Sequence, residues 1–138
     1  MKIIIAGAGE VGYHLSKLLS FESHEIILID QDKDRLLYAD SKLDIKTLQQ
    51  DATSIQALKD ANVENSDLFI AVTSSETTNI TACVLAKQLG AKKTIARISN
   101  SEFLDEESQV AASDTSSSSS SFAQRLLKLK AGQSNARH

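Results

Sequence analysis

Ile3-Ile4-Ile5-Ala6-Gly7-Ala8-Gly9-Glu10-Val11-Gly12 is the stretch whose reading decides the fold. An apolar run gives way to glycines spaced G-x-G-x-x-G, after which the pattern turns helical. Each glycine has its own mechanical use. Gly7 permits a tight turn, Gly9 lets backbone approach a pyrophosphate, and Gly12 lets helix pack close on strand. The helix N-terminus then presents unpaired N–H groups and the positive end of its dipole to an anion. A second apolar run, Ile26-Ile27-Leu28-Ile29, ends on Asp30. That position lies about twenty residues on, where a carboxylate can accept hydrogen bonds from a ribose diol. A glycine-rich turn alone is a weak signal and would leave Asp30 without a purpose. Strand, glycines, helix, strand and terminal acid together predict a nucleotide-binding, Rossmann-like unit.

Outward from this stretch, strand and helix patterns alternate to about residue 108, the mark of a parallel α/β sheet. Strands are expected at Lys2–Ala6, Glu25–Asp30, 45–49, 68–73 and 94–98, in a doubly wound sheet of five to six strands ordered 3-2-1-4-5. The first helix carries Val11, Leu15, Leu18 and Leu19 on one face. The second, over 32–40, turns Leu36 and Leu37 inward. Thr53-Ser54-Ile55-Gln56 and Thr73-Ser74-Ser75-Glu76 read as capping boxes opening the third and fourth helices. The fourth carries Ile80, Cys83, Val84 and Leu89 and is stopped by Gly90. A short acidic helix is expected over 101–107. The strand order puts the switch point between strands 1 and 4, so a ligand should lie across Gly7–Gly12 and Thr73–Ser75.

Composition narrows the class. The 138 residues suit one principal domain, 1–109, and 41% hydrophobic with 24% charged residues is ordinary for a globular chain. A net charge of -3 carries no electrostatic footprint for nucleic acid. The single Cys83 cannot form an internal disulfide and fits a reducing cytoplasm. No apolar run approaches the roughly 20 residues of a membrane span. A first strand opening at Lys2 leaves no room for a signal peptide. The expectation is a cytoplasmic protein without direct membrane insertion. Residues 110–121, nearly all serine after Ser113, read as a flexible linker. Residues 122–138 form a basic tail, read either as non-native or, over FAQRLLKLK, as a short amphipathic helix.

The combination of GAGEVG, the Asp30 ending, Asp51-Ala52-Thr53 and Ala71-Val72-Thr73-Ser74-Ser75-Glu76-Thr77-Thr78-Asn79 resembles the RCK/KTN family, the N-terminal regulatory domains of TrkA-type potassium-uptake proteins. The resemblance covers about residues 1–109. It implies a regulatory subunit that binds NAD or NADH, or alternatively ATP, ADP or AMP. It also implies a homodimer or higher homo-oligomer that gates a membrane-embedded K+ transporter subunit from its cytoplasmic face. By position, Gly7, Ala8, Gly9, Glu10 and Val11 would form the phosphate loop, with Asp30 and its neighbour Gln31 at the ribose. Asp51 and Ala52 would lie beside the adenine, Thr73 and Ser74 near the phosphates or distal ribose, and Arg97 near the nucleotide or a subunit interface. The sequence departs from the family pattern at Gln50, where glycine is usual, and at Thr77, where an acid is common. After about Val110 it departs again, where the family continues into a sixth strand, a crossover helix and a C-terminal domain.

Other readings stand beside these. Asp51 could instead cap the third helix with Thr53. Arg97 could be a strand-end surface residue. Arg35 reads as solvated. Glu10, an acid in the phosphate loop, favours NAD(H) or ADP and AMP over ATP. Tyr38-x-x-x-Lys42 has the spacing of a dehydrogenase catalytic pair but falls too early in the chain. His14 and His24 lack a second ligand at metal spacing and read as solvated. Cys83 reads as core packing. The rival to a sensor is the cofactor-binding half of an NAD-dependent dehydrogenase, and a third reading is an oligomerisation scaffold with a vestigial pocket.

Overall fold

Branched apolar runs bounded by polar turns build the strands, and every expected strand forms. In the computed structural model, which describes residues 1–98, they are β1 Lys2–Ala6, β2 Glu25–Asp30, β3 Lys46–Gln49, β4 Leu68–Ala71 and β5 Thr94–Ala96. All pair in parallel, in the order β3-β2-β1-β4-β5. Helices α1 Glu10–Ser20, α2 Lys33–Lys42, α3 Ile55–Asp60 and α4 Glu76–Gln88 make the crossovers. A 3-10 turn, Val63–Asn65, precedes β4 and was not anticipated. The acidic helix over 101–107, the serine linker and the basic tail lie outside the described residues.

Alternation along β1 divides the core. Ile3 and Ile5 join Leu15, Leu19 and Leu36 beneath α1 and α2. Ile4 and Ala6 join Leu58, Phe69, Ala82 and Ala86 on the opposite face, beneath α3 and α4. Both faces are covered, which is why the central strands read as continuous apolar runs.

Some helix details differ from expectation. In α2, Leu36 is buried but Leu37 is 55% exposed, and the second inward residue is Ala39, one turn on. In α4 the sheet-facing residues are Asn79, Ala82, Cys83 and Ala86, while Ile80 and Val84 are exposed. Small side chains let this helix sit close on the sheet. The caps are also displaced. Ser54 accepts from the Ala57 N–H and Ser75 from the Thr78 N–H. The Thr53 and Thr73 hydroxyls serve other partners, donating to Asp51 Oδ1 and Asn79 Oδ1, each at 2.7 Å, while Thr73 Oγ1 accepts the Ser75 N–H. Gly90 ends α4 as expected, with its N–H on the Lys87 carbonyl and the Ala91 N–H on the Ala86 carbonyl.

At the end of the sheet opposite the glycine turn, Asp67 ties three strands together. Its Oδ2 accepts the Lys2 N–H at 2.8 Å and its Oδ1 lies 3.2 Å from Lys92 Nζ. The Lys2 hydrogen bond, with help from Lys92, holds this carboxyl below its usual range. A depressed carboxylate pKa contributes stability above the unfolded-state value, about 3.9, and loses it as pH falls through the folded-state value. Asp67→Asn should therefore cost about 1 kcal/mol at pH 7. The gap from wild type should narrow in thermal unfolding as pH falls below the unfolded-state value and through the lower folded-state one. A gap that stays constant with pH would remove the carboxylate charge from the account.

His24 sits beside this end of the sheet and is not the solvated turn residue expected. Its side chain is 8% exposed, with Nε2 3.0 Å from Glu22 and Nδ1 3.2 Å from the Met1 amine. Burial, reinforced by that amine, lowers its pKa.

Candidate functional site

The C-terminal ends of β1 and β4, with the turns that follow them, border a cleft of about 430 Å³. Its floor is the glycine turn. Gly7 has φ +113°, and a Cβ there would stand 3.0 Å from the Thr73 nitrogen and the Val72 carbonyl carbon. The turn and the end of β4 are therefore packed backbone to backbone. Gly9 precedes α1 in extended conformation, and no side chain caps that helix. Asp32, Ser54 and Ser75 cap α2, α3 and α4. Among the described α-helices, α1 alone presents its opening turn without a side-chain cap, and it does so into the cleft. The N-terminus of α4 adjoins the same space, since Ser75 and Thr78 line it.

Asp30 terminates β2 at the rim of the cleft, with its carboxylate already oriented. Oδ2 accepts the Ala8 N–H and Oδ1 the Asp32 N–H, both at 2.7 Å. Each carboxylate oxygen can still accept another hydrogen bond. Asp30 therefore joins the glycine turn to the start of α2 while facing the cleft.

Of the residues singled out by sequence, Gly7, Gly9, Glu10, Val11, Asp30, Gln31, Asp51, Ala52, Thr73, Ser74 and Arg97 all line this cleft. Ala8 does not. It is buried, and its N–H is taken by Asp30. Asp51 does not cap α3, a place taken by Ser54. Asp51 lines the cleft, and its Oδ1 accepts the Thr53 N–H and hydroxyl at 2.8 and 2.7 Å, which lowers its pKa. Gln50 also lines the cleft, with its amide donating to Asp60.

Two contributors escaped the sequence reading. Arg35, expected to be only solvated, reaches from α2 to line the cleft. Asn79 is 1% exposed and holds the far wall. Its Oδ1 accepts the Thr73 N–H at 2.9 Å and the Thr73 hydroxyl at 2.7 Å. Its Nδ2 donates to the Thr73 carbonyl at 3.0 Å and the Arg97 carbonyl at 2.8 Å. These bonds take the backbone groups at 73 and 97, so β4 and β5 end at Ala71 and Ala96, short of the expected 73 and 98. A buried polar residue following a strand, six positions past a threonine, is a faint signal that sequence alone does not interpret.

The remaining candidates are quiet. Tyr38 packs against Tyr13 at 5.2 Å between ring centroids, with Lys42 Nζ 5.9 Å from its own ring, and neither Tyr38 nor Lys42 lines the cleft. Cys83 is buried, and burial pushes its thiol pKa up to about 12, which keeps it protonated. Among the described residues no group of three or more His, Cys, Asp or Glu could hold a metal ion. No described helix is long and apolar enough to cross a membrane.

Sheet order, glycine turn and terminal acid define a Rossmann-like domain with its cleft at the topological switch point. The TrkA-N domain family model matches residues 3–118, and the chain belongs to that family. A Trk system potassium uptake protein TrkA homolog of Archaeoglobus fulgidus is 42% identical over 105 residues, which are 76% of this chain and 24% of that protein. The chain thus spans about a quarter of that relative's length. Among solved structures, the GsuK channel bound to NAD is similar with a TM-score of 0.65 at 19% identity, covering 73% of this chain and 18% of that one. The Kef C-terminal domain of Shewanella denitrificans in its AMP-bound form gives 0.61 at 20% identity, covering 99% and 95%. At such identities the two structures establish the shared fold.

Proposed function

We propose that this chain is the nucleotide-sensing domain of a cytoplasmic regulatory subunit of a potassium uptake system. It binds NAD or NADH, or in their place ATP, ADP or AMP, and the bound state gates a membrane-embedded K+ transporter subunit. The observation that carries the reading is the convergence of an uncapped helix N-terminus, a glycine cradle and an oriented Asp30 on one cleft. The phosphates lie on the opening turn of α1, at Gly7, Gly9, Glu10 and Val11. The adenosine ribose lies at Asp30 and Gln31, the adenine at Asp51 and Ala52, and the distal half near Thr73, Ser74 and Arg97. Ala8 shapes the loop from behind.

Residues 1–109 form this domain, 110–121 a linker and 122–138 a tail. Transmission needs a neighbour to act on, so the chain works as a homodimer or larger assembly. The relative's name supports a role in potassium uptake, and the titles of the two solved structures support NAD or an adenine nucleotide as ligand. A sensor is preferred to the cofactor half of a dehydrogenase because the described residues around the cleft include no set of nucleophile, base and orienting partner.

Calorimetric titration of the chain with NADH, NAD, ATP, ADP and AMP tests the reading. Saturable binding of at least one is expected, and binding of none would overturn it. Robust turnover of NADH with carbonyl substrates would favour the enzyme instead. Within this site, Asp30→Ala should weaken binding by about 1–3 kcal/mol, the scale of hydrogen bonds to a charged group. Unchanged affinity would remove Asp30 from the ribose contact.

A further inference from the structure

The cleft holds a cation that neither the glycine motif nor the strand-end acid calls for. Arg35 projects from the first turn of α2 back across the opening, and its Nη1 lies 3.7 Å from where a Cβ on Gly9 would stand. Among the described residues, Gly9's own chain neighbours aside, nothing else comes within 4 Å of that point. The open face of Gly9 is where backbone is expected to approach a pyrophosphate, so the guanidinium already overlies the phosphate cradle.

Its tether is loose. The nearest acid is Asp32, with Nε to Oδ2 at 3.6 Å. Charge-assisted pairs of this kind normally close to about 2.7–2.9 Å. Among the described residues the guanidinium donates no shorter bond, and the side chain is 57% exposed. Asp32 does not depend on Arg35, since its Oδ1 caps α2 through the Asp34 and Arg35 N–H groups. Arg35 can therefore leave Asp32 for a phosphate without undoing the helix cap. The glycine loop itself carries an acid, Glu10, and no base, so it offers no cationic side chain to a phosphate.

We propose that Arg35 is a specificity-determining residue of this cleft, closing over the phosphate group held at Gly9 and selecting phosphorylated ligands over the bare nucleoside. The inference rests on the nucleotide reading above and adds to it a cation over Gly9, apart from Arg97 at the distal end of the cleft. A planar fork of donors suits a phosphate in two-point contact, a geometry that lysine cannot reproduce.

The test compares wild type, Arg35→Gln and Arg35→Lys by calorimetric titration with ADP, NADH and adenosine. Arg35→Gln should weaken ADP and NADH by about tenfold or more, the scale of a charge-assisted pair. Arg35→Lys should fall between, and adenosine should bind all three alike. Salt should weaken ADP binding less steeply in Arg35→Gln than in wild type. An equal loss for adenosine would mean that the guanidinium stacks on the base, and this overturns the proposal. So does an unchanged ADP affinity in a wild type that binds. A wild type that binds no nucleotide overturns the proposal and the functional reading together, and is thereby distinguished from failure at Arg35 alone.

Discussion

Gly12→Ala should destabilise the domain by about 3 kcal/mol or more, at the upper end of overpacking costs. A Cβ at Gly12 would stand 1.6 Å from the Gly7 carbonyl oxygen and 2.8 Å from its carbon. Both are backbone atoms, so no rotamer change relieves the clash. The Gly7 N–H is bonded to the Ile29 carbonyl and the Tyr13 N–H to the Gly9 carbonyl, which leaves neither segment free to yield. α1 would have to move off the sheet and take Val11, Leu15 and Leu19 with it. Thermal unfolding should show a midpoint lowered by more than about 10 °C for a domain of this size. Gly9→Ala is the control, because its Cβ meets only the end of the Arg35 side chain. If both variants unfold at the wild-type temperature, the close approach of α1 to β1 is not required.

The same glycine shows what a sequence can disclose. The G-x-G-x-x-G spacing is legible because it encodes a backbone geometry in residues with no side chain to repack. The strands are legible for a similar reason. A strand buried on both faces leaves little room for anything but branched apolar residues, as in Ile3–Ile5 and Leu68–Ile70. Helix faces are harder to read. The sequence pattern favours large apolar residues, whereas α4 turns Ala82, Cys83 and Ala86 to the sheet and leaves Ile80 and Val84 outside. Caps are ambiguous wherever serines and threonines adjoin. In Thr53-Ser54 and in Thr73-Ser74-Ser75 several hydroxyls could cap, and the choice depends on what else each can reach in three dimensions.

The cleft divides along the same line. Residues on the glycine turn and at the end of β2 are placed by local chain geometry, so their positions follow from spacing. Arg35 depends on how α2 is rotated about its axis and how far a long side chain extends, which no short motif records. Ala8 shows the converse. It belongs to the motif, yet its N–H turns to Asp30 and its side chain into the core.

Asn79→Ala should cost about 2–4 kcal/mol, because it strips partners from several buried or half-buried groups at once. The side-chain amide makes every hydrogen bond open to it, as acceptor to the Thr73 N–H and hydroxyl and as donor to the Thr73 and Arg97 carbonyls. Alanine leaves those groups unpaired behind the end of the sheet and leaves a cavity beside them. Thr73 and Arg97 both line the cleft, so the variant should also lose nucleotide affinity. Asn79→Asp separates charge from shape. It keeps the acceptor facing Thr73 but sets a carboxylate oxygen against the two carbonyls that Nδ2 now serves. That repulsion raises the folded-state pKa of the new carboxyl above its unfolded value. Protonation relieves the repulsion, so the native state binds more protons and the deficit of Asn79→Asp relative to wild type should shrink as pH falls. The deficit of Asn79→Ala should not follow pH in this way. Thermal unfolding of the three proteins across the acid range decides the matter. Parallel curves for the two variants would mean that the amide acts by filling space, not by holding the ends of β4 and β5 together.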